Sequence, residues 1–84
     1  MMNLNRAAHK IATDALAGLS ENPIDLYEWT VKNPSDAADF CICGYDGQVC
    51  EDVAEMQHFD KDDLIECVRT YIILGFDLEI HTRP

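Results

Sequence analysis

Basic residues are the scarcest ordinary constituent of this chain. Six lysines and arginines stand against sixteen aspartates and glutamates, for a formal net charge of −10 and a pI near 4.3. That shortage excludes a standard nucleic-acid-binding domain, which needs a basic face to displace counterions from phosphates. It also disfavours contact with an anionic membrane surface. Long apolar runs are missing too: nothing approaches the roughly 18 consecutive apolar residues of a membrane span. The sequence holds no Cys-x-x-Cys pair, Gly-rich phosphate loop, serine nucleophile elbow or His-x-x-x-His pair, so the common signatures of zinc modules, nucleotide binders and hydrolases are lacking. Arg6, His9, Lys10 and Asp14 interrupt the apolar positions near the N-terminus, a pattern unlike a signal peptide. On that reading Cys41, Cys43, Cys50 and Cys67 are expected as reduced thiols in a cytoplasmic protein.

What is present suits one small domain, residues 1–84. An 84-residue chain that is 48% apolar can form a single core, with a thin margin of stability. Residues 4 to 19 predict an amphipathic helix: Leu4, Ala8, Ile11, Ala15 and Leu19 follow helical spacing, and Ala7, Ala12 and Leu16 widen the stripe. Asn3 or Asn5 caps its start and Gly18 marks its end. A weak repeat follows, with NPIDLYEWTVK (22 to 32) aligning on NPSDAADFCIC (33 to 43). Each copy opens with Asn as cap, Pro at the first helical position and Asp in the first turn. Two short helices are expected, each burying one aromatic, Trp29 and Phe40.

Gly44 can end the second of these, and GYDG (44 to 47) reads as a turn. Val49, Val53 and Met56 then recur at helical spacing, which predicts a short helix from about 48 to 57. A hairpin over 39–50 is the competing reading. The clearest helix spans about 61 to 74, capped by Asp60, with Leu64, Val68, Tyr71 and Ile72 as its buried stripe, joined by Ile65 and Leu74. Gly75 followed by Phe76 resembles a glycine helix ending. In FDLEIH (76 to 81), Phe76, Leu78 and Ile80 alternate in strand fashion. The expected fold is therefore mainly α, a compact bundle of four to five short helices with a short C-terminal strand. The alternative is α+β with a small hairpin at 39–50.

Chemistry-bearing residues are few. Cys41, Cys43, Cys50, Cys67 and His58 could ligate zinc in principle, but their spacing fits no zinc-ribbon or finger pattern. Small core filler is the better account of buried cysteines. Glu51 and Asp52 beside Cys50 oppose thiolate formation, so a cysteine nucleophile is not expected. DKDDLIE (60 to 66) lacks the glycine and bidentate acid of a calcium loop. Neither catalytic residues, metal nor cofactor are expected.

The charge layout is the functional clue. Residues 36 to 66 carry Asp36, Asp39, Asp46, Glu51, Asp52, Glu55, Asp60, Asp62, Asp63 and Glu66 against Lys61 alone. On helices, Glu51 with Glu55 and Asp62 with Glu66 stand one turn apart, about 6 Å between side-chain origins, close to the separation of successive phosphates on a nucleic-acid strand. All of these acids except Asp60, the cap, are the candidate partner-binding residues. The expected partner is the basic surface of a nucleic-acid-binding protein or complex, with no direct contact to nucleic acid or membrane. In size and acidity the chain resembles, as a class, the small inhibitors of phages and other mobile elements, anti-CRISPR and anti-restriction proteins among them. No motif carries that likeness. Two other readings are an adaptor or antitoxin-like regulator, docking through an apolar patch or the C-terminal segment, and a small zinc-binding module.

Overall fold

The computed structural model describes residues 3–20 and 34–82, and for residues 19–20 and 76–82 the backbone alone. Four helices lie among the described residues: α1 (Leu4–Ser20), α2 (Pro34–Cys43), α3 (Tyr45–Gln57) and α4 (Lys61–Thr82). The fold is mainly α. The first repeat copy, with Tyr27 and Trp29, lies outside the described residues.

The helix starts follow local chemistry. The Asn3 carboxamide oxygen accepts the Arg6 N–H at 2.8 Å, and an Asp60 carboxylate oxygen accepts the Asp63 N–H at 3.1 Å. Each satisfies a donor that the first turn leaves without an intrahelical partner. Pro34 opens α2 and Asp36 sits in its first turn. His58 ends α3 in the left-handed region at φ 60, and the Phe59 N–H reaches back to the Ala54 carbonyl at 2.9 Å. This is the bond pattern of a glycine-type helix ending formed without glycine.

Small residues line the core. α1 buries Ala7, Ala8, Ile11, Ala12 and Ala15; α2 buries Ala37, Ala38 and Cys41; α3 buries Cys50 and Ala54. Against these α4 supplies the larger side chains Leu64, Val68 and Ile72, all fully buried. Short side chains on three helices let their backbones approach α4 closely, so a thin core still packs densely.

Several expectations are corrected. The strand expected over FDLEIH does not form, because α4 continues through Gly75 to Thr82. Gly75 lacks the positive φ of a helix-ending glycine; a side chain there would collide with the Leu16 δ-methyl of α1. Glycine at 75 thus serves the close approach of two helices, not a helix end. The hairpin over 39–50 is likewise replaced by the end of α2 and the start of α3. The GYDG turn shrinks to Gly44, because Tyr45, Asp46 and Gly47 are already helical. A Cβ on Gly47 would overlap the Ile42 carbonyl, so glycine permits α3 to begin hard against α2. Gly18 does not end α1, which runs to Ser20.

Burial also departs from expectation. Phe40 and Leu74, both expected inside, are each 55% exposed, and Met56 is 71% exposed.

Candidate functional site

The candidate acids distribute over three helices. On α3, Glu51, Asp52 and Glu55 are exposed while Cys50 and Ala54 on the same helix are buried, so these three acids share its outer face. On α4, Asp62, Asp63 and Glu66 are exposed beside buried Leu64 and Val68, which places them on its outer face. Lys61 Nζ lies 3.8 Å from a Glu51 carboxylate oxygen. That ion pair brings the start of α4 beside α3.

The remaining three have other surroundings, and Arg69 faces Asp36 and Asp39 of α2 as well as Glu66 of α4. Asp36 and Asp39 belong to α2, and Asp39 accepts a hydrogen bond from Arg69 Nε at 2.7 Å. The hydrogen bond from Arg69, assisted by its charge, holds the Asp39 carboxyl below the usual carboxylate range. Arg69 also donates to the Ser35 hydroxyl, so the guanidinium fastens α2 to α4. Asp46 is half-buried, unlike the others. Burial pushes its carboxyl above the ordinary value; a hydrogen bond with Cys41 opposes that shift, and the charge of Asp14 adds to it.

The thiols do not gather into a ligand set. Among the described residues no three of His, Cys, Asp and Glu sit where one metal ion could join them. Cys41 and Cys50 are buried in the core, Cys67 is half-buried and Cys43 is exposed, all as free thiols. Burial, reinforced by the nearby Asp46 charge, pushes the Cys41 and Cys50 thiols up to about 11. That shift opposes the thiolate that nucleophilic or metal-ligating chemistry requires.

Sequence reasoning missed a groove between α1 and α4, of about 500 Å³. Asp63 and Glu66 border it near the start of α4, and Tyr71 and Leu74 further along the same helix. Asn5 of α1 faces Cys67, whose Sγ donates to the Asn5 side-chain oxygen at 3.2 Å. Along the same seam the His9 and Tyr71 rings meet edge to face, with centroids 5.4 Å apart. No local pattern signals this groove, because Asn5 and Cys67 lie 62 positions apart in the chain.

Among the described residues no helix is long and apolar enough to cross a membrane. Searches against protein-family models, curated proteins and solved structures find no match for this chain.

Proposed function

We propose that this chain is a non-enzymatic binding protein that docks the acidic outer faces of α3 and α4 on the basic surface of a nucleic-acid-binding protein. The observation that carries the reading is the exposure of Asp52, Glu55, Asp62, Asp63 and Glu66 beside few cations: Lys61 is engaged by Glu51, and Arg69, which faces Glu66, is engaged by Asp39. Exposed carboxylates one helical turn apart imitate the spacing of phosphates, and a basic groove built for nucleic acid accepts such an array. Occupying that groove blocks its natural ligand. A CRISPR effector or a restriction enzyme is the kind of target this mode suits, and an inhibitor carried by a phage or other mobile element is the corresponding biological role. The raised Cys41 and Cys50 thiols support a role without nucleophilic catalysis.

The test is affinity capture at low ionic strength with elution by competitor duplex DNA, followed by binding of the purified partner at about 50 and 200 mM salt. Affinity is expected to fall steeply with salt, and to drop when Asp62, Asp63 and Glu66 are changed together to the amides. Binding indifferent to salt and to DNA would sink the proposal.

A second reading, an adaptor docking through an apolar patch, draws on Tyr45 and Met56, which are 81% and 71% exposed on α3. Eleven residues apart, they fall on one side of that helix. Salt-insensitive binding lost on Tyr45→Ser and Met56→Ser would favour it.

A further inference from the structure

The groove between α1 and α4 is chemically uneven along its length. Its middle is satisfied internally: the Cys67 thiol donates to Asn5, and the Thr70 hydroxyl donates to the Glu66 carbonyl at 3.0 Å. Its two ends differ in chemistry. Asp63 and Glu66, the latter facing Arg69, put negative charge at one, and the half-exposed Leu74 puts apolar surface at the other, beside the Tyr71 ring that meets His9. Its volume of about 500 Å³ falls within the range of clefts that hold ligand groups.

Glu66 and Leu74 are eight residues apart on one helix, a rise of about 12 Å. A second helix lying along α4 repeats its own face at the same interval, so one basic and one apolar side chain about two turns apart would meet both ends together. An added strand is a poor fit. The walls are helices whose backbone groups are bonded within themselves, and the described residues offer no sheet edge for a strand to extend.

We propose that this groove receives a basic amphipathic helix of the protein partner, with an arginine or lysine on Asp63 and Glu66 and an apolar side chain two turns away on Tyr71 and Leu74. The inference rests on the preceding reading that the partner is basic, and adds the form and register of the segment that binds.

The test uses the full chain labelled with nitrogen-15 and two alanine-rich helical peptides of identical composition. One carries two arginines and, two turns on, a leucine on the same face; the other places the leucine on the opposite face. The matched peptide should move the amide resonances of Asn5 and of Glu66 through Leu74. It should bind roughly tenfold more tightly than its isomer, the worth of burying one large apolar side chain. Leu74→Ala should remove that preference while leaving the isomer's weak binding unchanged, with the circular dichroism of the variant confirming the fold. Equal binding of the two peptides, a preference that survives Leu74→Ala, or no binding by either would each overturn the groove as the docking site. Failure of the charge-docking reading is seen separately, as salt-independent binding of the captured partner. A partner bound with steep salt dependence, beside two peptides bound alike, would leave that reading standing and remove this one.

Discussion

Gly47 and Gly18 receive the same substitution in this fold with opposite expected results. Alanine in place of a helical glycine ordinarily stabilises by about 0.5–1 kcal/mol, through the backbone entropy that glycine loses on folding. Gly18 lies in the last turn of α1, and nothing stands within 4 Å of where its Cβ would be. Gly18→Ala should therefore realise the ordinary gain. Gly47 lies in the first turn of α3, where a Cβ would overlap the Ile42 carbonyl oxygen and stand 2.9 Å from the carbonyl carbon. A backbone carbonyl cannot turn aside as a side chain does, so the α2–α3 junction must open. Ile42, Val49 and Val53, which pack against the core, would move with it. Overpacking of this kind costs roughly 1–3 kcal/mol, which outweighs the propensity gain and leaves Gly47→Ala destabilised by about 1–2 kcal/mol. At roughly 4–8 °C per kcal/mol for a domain this small, the two melting temperatures should move in opposite directions. Gly75→Ala belongs between them, since its obstacle is a Leu16 methyl at the end of a rotatable side chain. Urea unfolding followed by far-UV circular dichroism, with m-values checked for constancy, reads all three. A Gly47→Ala variant as stable as the parent would refute the close approach of α2 and α3.

Three further outcomes are expected. Asp60→Ala should destabilise by about 1 kcal/mol in the same urea assay, because the Asp63 N–H loses its cap. Asp46 holds its proton more tightly folded than unfolded, so its contribution favours folding at pH values below about 3.8 and is lost as pH rises through the raised value. Asp46→Asn should accordingly melt higher than the parent near pH 7 and show little difference near pH 3; a constant gap across that range would contradict the burial argument. With iodoacetamide near pH 8, exposed Cys43 should alkylate first and Cys67 more slowly, while Cys41 and Cys50 wait for unfolding. Peptide mapping by mass spectrometry follows the order, and Cys50 reacting as fast as Cys43 would contradict the packing.

Features set by neighbours in the chain were legible in the sequence. Asn3, Pro34 and Asp60 mark helix starts because a cap acts within four residues, and Leu64, Val68 and Ile72 form the deepest stripe at the expected period. Features set by helices meeting in space were not. On α3 the large apolar residues Val49, Val53 and Met56 suggested one face, yet the fully buried pair is Cys50 and Ala54, one residue further on. On α2 the inward face is Ala37, Ala38 and Cys41, with Phe40 half outside. Close helix packing favours whichever face is smallest, so bulky residues such as Val49 and Val53 flank the core while smaller ones fill its centre. Gly75 misled for the same reason: its meaning depends on Leu16, almost sixty residues earlier. The acids were legible as a set in sequence, but not their division into an outer array on α3 and α4, an Arg69-bound group on α2, and the half-buried Asp46.

The placement of Arg69 and Lys61, the cations of α4 among the described residues, bears on why the array exists. Arg69 pairs with Asp39 across α2 and α4, and Lys61 pairs with Glu51 across α3 and α4. Each ties one helix to another, and Arg69 also faces the charge of Glu66 one turn before it on α4. Glu51 with Glu55, Asp52 with Glu55, Asp62 with Glu66 and Asp63 with Glu66 are like-charged neighbours one turn apart. Each such pair disfavours an isolated helix by roughly 0.2–0.5 kcal/mol, so together they oppose folding by about 1–2 kcal/mol, out of a total stability of about 4–13 kcal/mol for a chain of this length. A lysine at any of these positions would relieve the strain without touching the core. Solubility alone requires net charge, not adjacency, and a chain at −10 could keep most of that charge with the pairs broken up. Adjacency of exposed carboxylates is what the proposed basic partner would read, and it is the property that the folded state retains at a cost to its own stability.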